Sequence, residues 1–446
     1  MGCRSPARTG IASVAVARKP VGAAERTLAL LNDLLGDYTR DFAVRLWDGT
    51  RIPPAPGGAA RFTLVLEHAG SLRALLWPPN QLTMAEAYLY GDIDVEGDIE
   101  AIFPLIDHLL LEPRWTAAER LRAARRLLAL PSEKRPRTGR AAARLRGRRF
   151  SVERDRQAVT YHYDLSNDFF ALFLDRRMVY TCAYFADEAQ DLDTAQERKL
   201  DLVCRKLRLR PGERLLDVGC GWGGLLIHAA ANYGVDAIGV TLSAPQAELA
   251  NERIRAAGLG GQCRVEVRDY REVDEPASYD KIACICMFEQ VGERLLPGFF
   301  AHLSRLLRPG GVLLNQGLAA HHDLHDRLGR RGESFMSRYV FPDGDVVPIA
   351  SALRAAELAG LEVRDVESLR NHYVLTLGHW VRLLESRHDV ASRLVDEVAY
   401  RIWRLYMAGS KYAFATGRLN LYQVLLAKPD RGVSELPLTR ADWYGA

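Results

Sequence analysis

The residues with the clearest chemical purpose are Asp217-Val218-Gly219-Cys220-Gly221-Trp222-Gly223-Gly224, placed after an apolar strand-like run and before a helical pattern. Glycines at alternate positions allow a tight turn and let a ligand approach the backbone closely. The spacing D-x-G-x-G-x-G differs from the G-x-G-x-x-G of dinucleotide sites, whose helix N-terminus receives a pyrophosphate. A carboxylate at Asp217 beside a glycine turn suits an amino-acid-bearing nucleoside without phosphates, namely S-adenosylmethionine. Two further loops fit the same ligand. Thr241-Leu242-Ser243 with Gln246 follows the next strand-like run, and Arg268-Asp269-Tyr270 follows the third. There Asp269 can accept from an adenine amino group and Tyr270 can cover the ring.

Upstream lies Tyr161-His162-Tyr163-Asp164-Leu165-Ser166-Asn167-Asp168-Phe169-Phe170, then Tyr180-Thr181-Cys182-Ala183-Tyr184-Phe185. Together with GCGWGG, GVTLSAPQ, RDY, MFEQVG and RYVFPDG, these motifs closely resemble the cyclopropane fatty acid and mycolic acid cyclopropane synthases, from about residue 150 to the end. The resemblance implies S-adenosylmethionine held by Tyr180, Thr181, Gly219, Gly221, Thr241, Gln246, Asp269 and Tyr270, with Asp217 and Gly223 added by the loop itself. It also implies an acceptor with a cis double bond in a phospholipid acyl chain, work at an anionic membrane surface, and a homodimer. An alkene is a poor nucleophile, so the methyl must be held in line with the π bond and the resulting cation kept from water. Phe169, Phe170, Tyr184, Phe185, Phe288, Tyr339, Phe341 and Tyr373 supply aromatic faces for that task, although about half of them are expected to be ordinary core.

In the family the resemblance points to, a bicarbonate ion is the base, held by a Cys main-chain group and by Glu, His and Tyr. Cys182, Glu289 and Tyr373 match by position. The His does not: the run reads Asn315-Gln316-Gly317, and Glu289 is followed by Gln290. Asn315 offers a neutral amide where an imidazole could carry charge or relay a proton, so bicarbonate is held less well. The expected product is then a methylene-branched chain, formed by a hydride shift and proton loss without ring closure, and a reductase partner could complete a saturated branch. Ring closure to a cyclopropane remains the alternative, and a methyltransferase for a soluble small molecule or a lipid-binding protein without turnover are the readings from other classes.

The elements that must position these residues follow from the pattern. From about residue 195, short β-branched runs alternate with helical periodicity (ERLLDVGCGWGG, VDAIGVTL, CRVEVRDY, YDKIACICMF, GGVLLNQGL), the mark of a parallel sheet built from βαβ units. The fold class is α/β: a Rossmann-like S-adenosylmethionine methyltransferase domain over 151–446 and a smaller mixed α/β N-terminal domain over 1–130, associated with lipid or membrane. In the latter, helical patterns (AERTLALLNDLLGDYTRDFAVRLW and IEAIFPLIDHLLL) flank the strand candidate RFTLVLE, and AEAYLYGDIDVEGDIE reads as acidic and turn-rich. Residues 131–150 form a basic linker with eight Lys or Arg against one Glu, read equally as a lipid-headgroup attractor or a solvated connector. The last hundred residues return to helix and end in YQVLLAK.

At 446 residues and 48% hydrophobic, the chain can bury two substantial cores, and a net charge of +4 excludes a protein that coats nucleic acid. Seven cysteines form no paired framework, which fits a reducing cytoplasm; Cys284 and Cys286, two apart, are expected on one strand face. No run of roughly 18 apolar residues could span a bilayer, so the expected location is cytoplasmic, peripheral to the inner membrane face. Residues 1–20 show no signal-peptide core, and Pro at position six speaks against myristoylation. His321, His322, Asp323, His325 and Asp326 invite a metal reading, but two ligands at helical spacing do not close a site; no metal is expected there, and the segment reads as a lid.

Overall fold

The computed structural model describes residues 22–36, 38–110, 116–163, 165–321, 334–434 and 436–444. Its centre is a seven-stranded sheet in the order β10-β11-β9-β8-β5-β6-β7. The strands are β5 (Arg214–Val218), β6 (Asp236–Thr241), β7 (Cys263–Val267), β8 (Tyr279–Ile285), β9 (Leu307–Ala320), β10 (Glu362–Ser368) and β11 (Leu419–Ala427). β11 runs antiparallel between β9 and β10, while β5 to β9 are mutually parallel. The chain leaves β5 toward β6 and β7, then returns to place β8 on the other side of β5. The crevice at the carboxyl ends of β5 and β8 is therefore the topological switch point, where ligands of open α/β sheets bind.

The burial of β5 explains its sequence. Leu215, Leu216, Asp217 and Val218 are all buried, because helices cover both faces of a central parallel strand. Leu215 packs with α8 (Leu192–Leu207), α9 (Gly224–Tyr233) and α10 (Ala244–Ala256) on one side. Leu216 and Val218 pack with α11 (Leu296–Leu306) on the other. Cap chemistry sets where the helices begin: Asp191 accepts from Thr194 N at the start of α8, and Ser243 from Gln246 N at the start of α10.

The N-terminal unit holds a second sheet, β2-β1-β3-β4, from β1 (Phe42–Arg45), β2 (Arg51–Ile52), β3 (Phe62–Leu66) and β4 (Ile93–Gly97). It packs against α1 (Ala23–Leu35), α2 (Ser71–Leu76), α3 (Gln81–Leu89), α4 (Phe103–Leu110) and α5 (Ala117–Leu128). The helical pattern expected through residue 47 stops at Leu35, because Gly36 takes a left-handed φ of 48°; the following DFAVRLW contains strand β1 with alternating burial. AEAYLYGDIDVEGDIE holds the end of α3 and all of β4. Within the last hundred residues, the helices 370–386, 388–394 and 397–415 sit between β10 and β11, and YQVLLAK is part of β11.

The core of the N-terminal unit is continuous with the helices 370–386 and 397–415: Leu35, Phe62 and Leu105 belong to the same buried cluster as Phe170, Trp380, Trp403 and Tyr406. Arg404 ties the two parts together. Its guanidinium donates to Tyr88 Oη (3.0 Å), Val95 O (3.1 Å) and Gly97 O (3.1 Å), and its Nε to Glu385 (2.8 Å). Residues 131–150 have no regular secondary structure but are not simply solvated: Arg137 pairs with Glu86 at 2.6 Å, and Arg140 lies over the Tyr161 ring. No described helix is long and apolar enough to cross a membrane.

Candidate active site

At the end of β5 the backbone turns through Gly219 (φ 78°), Gly221 (φ 54°) and Gly223 (φ 75°), conformations that side chains with a Cβ rarely adopt. A Cβ on Gly219 would meet Met287 at 3.0 Å, whereas one on Gly221 would meet nothing within 4 Å: the loop faces open space at the sheet edge. Beside it, Thr241 Oγ1 donates to Gln246 Oε1 at 2.8 Å and accepts from Ser243 N at 3.2 Å, fixing the loop after β6. Gln246 is buried; burial raises the pKa of the Tyr163 hydroxyl, and the proximity of Gln246 acts to lower it. The Tyr163 ring lies 6.3 Å from Tyr180 and 6.0 Å from Trp222, and Trp222 Nε1 donates to Asn167 Oδ1 at 2.8 Å.

The segment 179–181 is held from α8. Gln196 Nε2 donates to the carbonyls of Val179 (3.2 Å) and Thr181 (2.8 Å), and Lys199 Nζ to Thr181 Oγ1 (2.9 Å). Lys199 is buried, which lowers its pKa, while Cys286, Asp175, Cys182 and Asp217 act to raise it. Burial pushes the Asp217 carboxyl up to about 7, with Lys199 opposing the shift. Tyr180, Thr181, Asp217, the glycine loop, Thr241 and Gln246 thus surround one edge of the sheet. Asp269 and Tyr270 occupy the neighbouring loop, where Arg268 N donates to Thr241 O at 3.0 Å. There the Asp269 carboxylate is engaged by Arg271 through both oxygens, and Tyr270 stands edge-on to Phe299. Oδ1 accepts from both Arg271 N and Nε, whereas Oδ2 accepts only from Nη2 and retains a lone pair for a ligand.

Next to this edge opens a cavity of about 2030 Å³ whose inner wall includes Tyr163, Tyr180, Cys286, Glu289, Tyr373 and Tyr406. Glu289 Oε1 accepts from Leu318 N at 2.6 Å, its Oε2 is buried with no partner, and burial raises its carboxyl to about 7. Aromatic rings crowd the same wall. Tyr180 lies 5.2 Å from Trp380 and 5.8 Å from Trp403, and its hydroxyl donates to that of Tyr406 at 3.2 Å. His162, stacked 4.3 Å from Phe341, donates from Nδ1 to Val340 O at 2.8 Å; burial lowers its pKa to about 3 and keeps it neutral.

Of the four residues expected to act on the proton, the structure brings Glu289 and Tyr373 to the cavity wall. Cys182 and Asn315 are not among the described lining residues. Cys182 is fully buried, with its thiol directed to the carbonyls of Ala183 and Leu369. Asn315 is 1% exposed, and its Oδ1 has no partner. A Cβ on Gly317 would lie 1.8 Å from Phe288 Cε1, so the Phe288 ring fills the space a side chain there would need.

The aromatic supply also divides. Tyr339, Phe341 and Tyr373 line the cavity; Phe169 and Phe170 are core; Tyr184 stacks on His372 and bonds Glu367; Phe185 stacks on His379. Cys284 and Cys286 do not share a face, because Cys286 takes a φ of 56° after β8 ends; its sulfur accepts from Gln316 Nε2 at 3.4 Å. Sequence reasoning read Cys286 only as a strand-face residue paired in position with Cys284, and passed over Lys199, Trp380, Trp403 and Tyr406. The repeat Tyr400, Trp403, Tyr406 at three-residue intervals was the available signal for the last two. Of the histidine and aspartate cluster, all but His321 lies outside the described residues.

Residues 150–424 match the family model for mycolic acid cyclopropane synthetase, and residues 31–108 match a domain of unknown function. A probable fatty acid methyltransferase of Pseudomonas putida is 38% identical over 94% of this chain and 100% of its own. A tuberculostearic acid methyltransferase of Mycobacterium tuberculosis is 39% identical over 62% of this chain and 66% of its own. Among solved structures, a mycolic acid cyclopropane synthase complexed with SAH and CTAB superposes with a TM-score of 0.57 at 34% identity, covering 61% of this chain and 98% of that one.

Proposed function

We propose, from the premise that this chain belongs to the mycolic acid cyclopropane synthetase family and is an S-adenosylmethionine-dependent methyltransferase of fatty acyl lipids, that it methylates one carbon of a cis double bond in a phospholipid acyl chain and yields a methylene branch. The residues fit the donor: the open left-handed glycine turn leaves room for it, and Asp217, Thr241, Gln246, Tyr180 and Thr181 surround that turn. Gly219, Gly221 and Gly223 admit it closely, and Asp269 and Tyr270 stand at the adenine end. Bound there, the donor supplies an electrophilic methyl group.

Tyr163, Tyr180 and Tyr406, which line the cavity, present π faces to the cation that forms on the chain and exclude water from it. After a hydride moves to the cationic carbon, the proton lost from the new methyl goes to Glu289, whose carboxyl near 7 and unpaired Oε2 suit a base working close to neutral pH. The electron pair of that C–H bond becomes the double bond of the methylene branch. The residues do not fit bicarbonate. Asn315 and Cys182 stand apart from the cavity that Glu289 and Tyr373 line, and no step is assigned to that ion.

The observation that carries this reading is the Phe288 ring seated on Gly317, which leaves Glu289 as the cavity's acid-base group on that side. Exposed Arg144, Arg146 and Arg148 support contact with an anionic membrane surface. The test is gas chromatography and mass spectrometry of fatty acids from oleate-producing cells that express the protein. A gain of one CH₂ as a methylene branch is expected. A cyclopropane alone overturns the reading, and no gain with donor binding intact points to a soluble acceptor.

A further inference from the structure

The cavity that begins at Glu289 does not end in the methyltransferase half. It continues past the helix 397–415 into the N-terminal unit, where Leu35, Leu72, Leu75, Leu76, Leu105 and Leu109 line it. Protein interiors close voids larger than a water molecule, and sites for drug-sized ligands span roughly 300–1,000 Å³. A chamber of about 2030 Å³ that leads from a buried carboxyl into a leucine-lined interior is therefore built around something long and apolar.

Small residues line the cavity where the two halves meet. Gly409, Ser410 and Ala413 lie on the helix 397–415 and line the cavity, and a Cβ on Gly409 would come within 3.1 Å of the Phe103 ring. That helix is held against the N-terminal sheet by Arg404, and by Tyr412, which donates to Asp107 at 2.7 Å and stacks 5.5 Å from Phe103. The N-terminal unit is thereby fixed as a wall of the chamber.

We infer that residues 31–110 form the distal half of the substrate site and hold an acyl chain of the lipid whose double bond lies at Glu289. This assigns a binding role to a region whose family model is a domain of unknown function, and it rests on the acyl-lipid reading for its substrate class. The chain is recognised by desolvation of its methylenes against leucine side chains, with no polar group required at that end.

The probe is an 18-carbon cis-unsaturated fatty acid carrying a diazirine near its methyl end, photolysed with the intact wild-type protein and mapped by mass spectrometry. Labels on the 31–110 segment, competed by oleate, are expected; labels confined to residues 160–180 and 334–419 overturn the inference. A second measurement uses Ala413→Phe and Leu105→Trp, which add bulk to the cavity lining on the helix 397–415 and in the N-terminal unit. Methyl transfer to lipids with 18-carbon chains should fall at least tenfold relative to lipids with 14-carbon chains, with donor affinity unchanged. Equal loss on both, or no loss on either, counts against the chamber. Labelling of the N-terminal unit in a protein that methylates no acyl lipid would sink the proposed reaction and leave the chamber standing.

Discussion

Replacing Glu289 with Gln should make the protein more stable and nearly inactive at once. A buried carboxyl pushed from its ordinary 4.5 to about 7 is disfavoured in its ionised form, at about 1.4 kcal/mol per tenfold change, by about 3 kcal/mol. The sign follows from proton linkage. The folded protein holds this proton more tightly than the unfolded chain, so wild-type stability falls as pH rises from about 4.5 to about 7, and the full penalty stands above that. Gln keeps an oxygen to accept from Leu318 N and carries no charge. Thermal unfolding of Glu289→Gln and wild type should therefore separate most at pH 8, with the variant higher, and converge near pH 4. Turnover at saturating donor should fall by about 10² to 10⁴, the usual worth of a positioned base. The wild-type decline in kcat below about pH 7 should vanish in the variant. Equal unfolding temperatures at pH 8, or a variant that keeps the limb near pH 7, would refute the claim that this carboxylate is held at a cost for proton transfer.

Lys199→Met removes the donor to Thr181 Oγ1 and the one cation that opposes protonation of Asp217. Affinity for S-adenosylhomocysteine, read by calorimetry, should drop about 10- to 100-fold, the worth of a charged hydrogen bond, and its loss at acidic pH should begin above 7. Arg404→Met breaks a buried hub, with an expected cost of about 3–5 kcal/mol. Limited proteolysis should then cut within 131–150 while the donor affinity of the methyltransferase half persists.

What the sequence made legible was what is local. The glycine turn and the Thr241–Gln246 loop each depend on a few consecutive residues, and their types announce their backbone conformations. Strand β1 was misread because apolar residues beyond Gly36 continue the helical period by chance, and only pairing with β3 decides against it. The chamber could not be read at all. It depends on Leu105 and, some three hundred residues later, Ser410 and Ala413 lining one space, and a small residue on a helix looks the same in sequence whether it packs or lines a cavity.

The departures at Asn315 and Gly317 show how the two kinds of information combine. In sequence they are two separate substitutions, one of which removes an imidazole. In the structure Gly317 is the condition for the Phe288 ring to lie against β9, and Asn315 is a residue two further along the same strand face, paired with Cys284 and Val424. A His at 315 alone would bury an imidazole at a 1% exposed position, and a side chain at 317 alone would displace the Phe288 ring. The two positions are coupled through Phe288, so their effects on the reaction should not add.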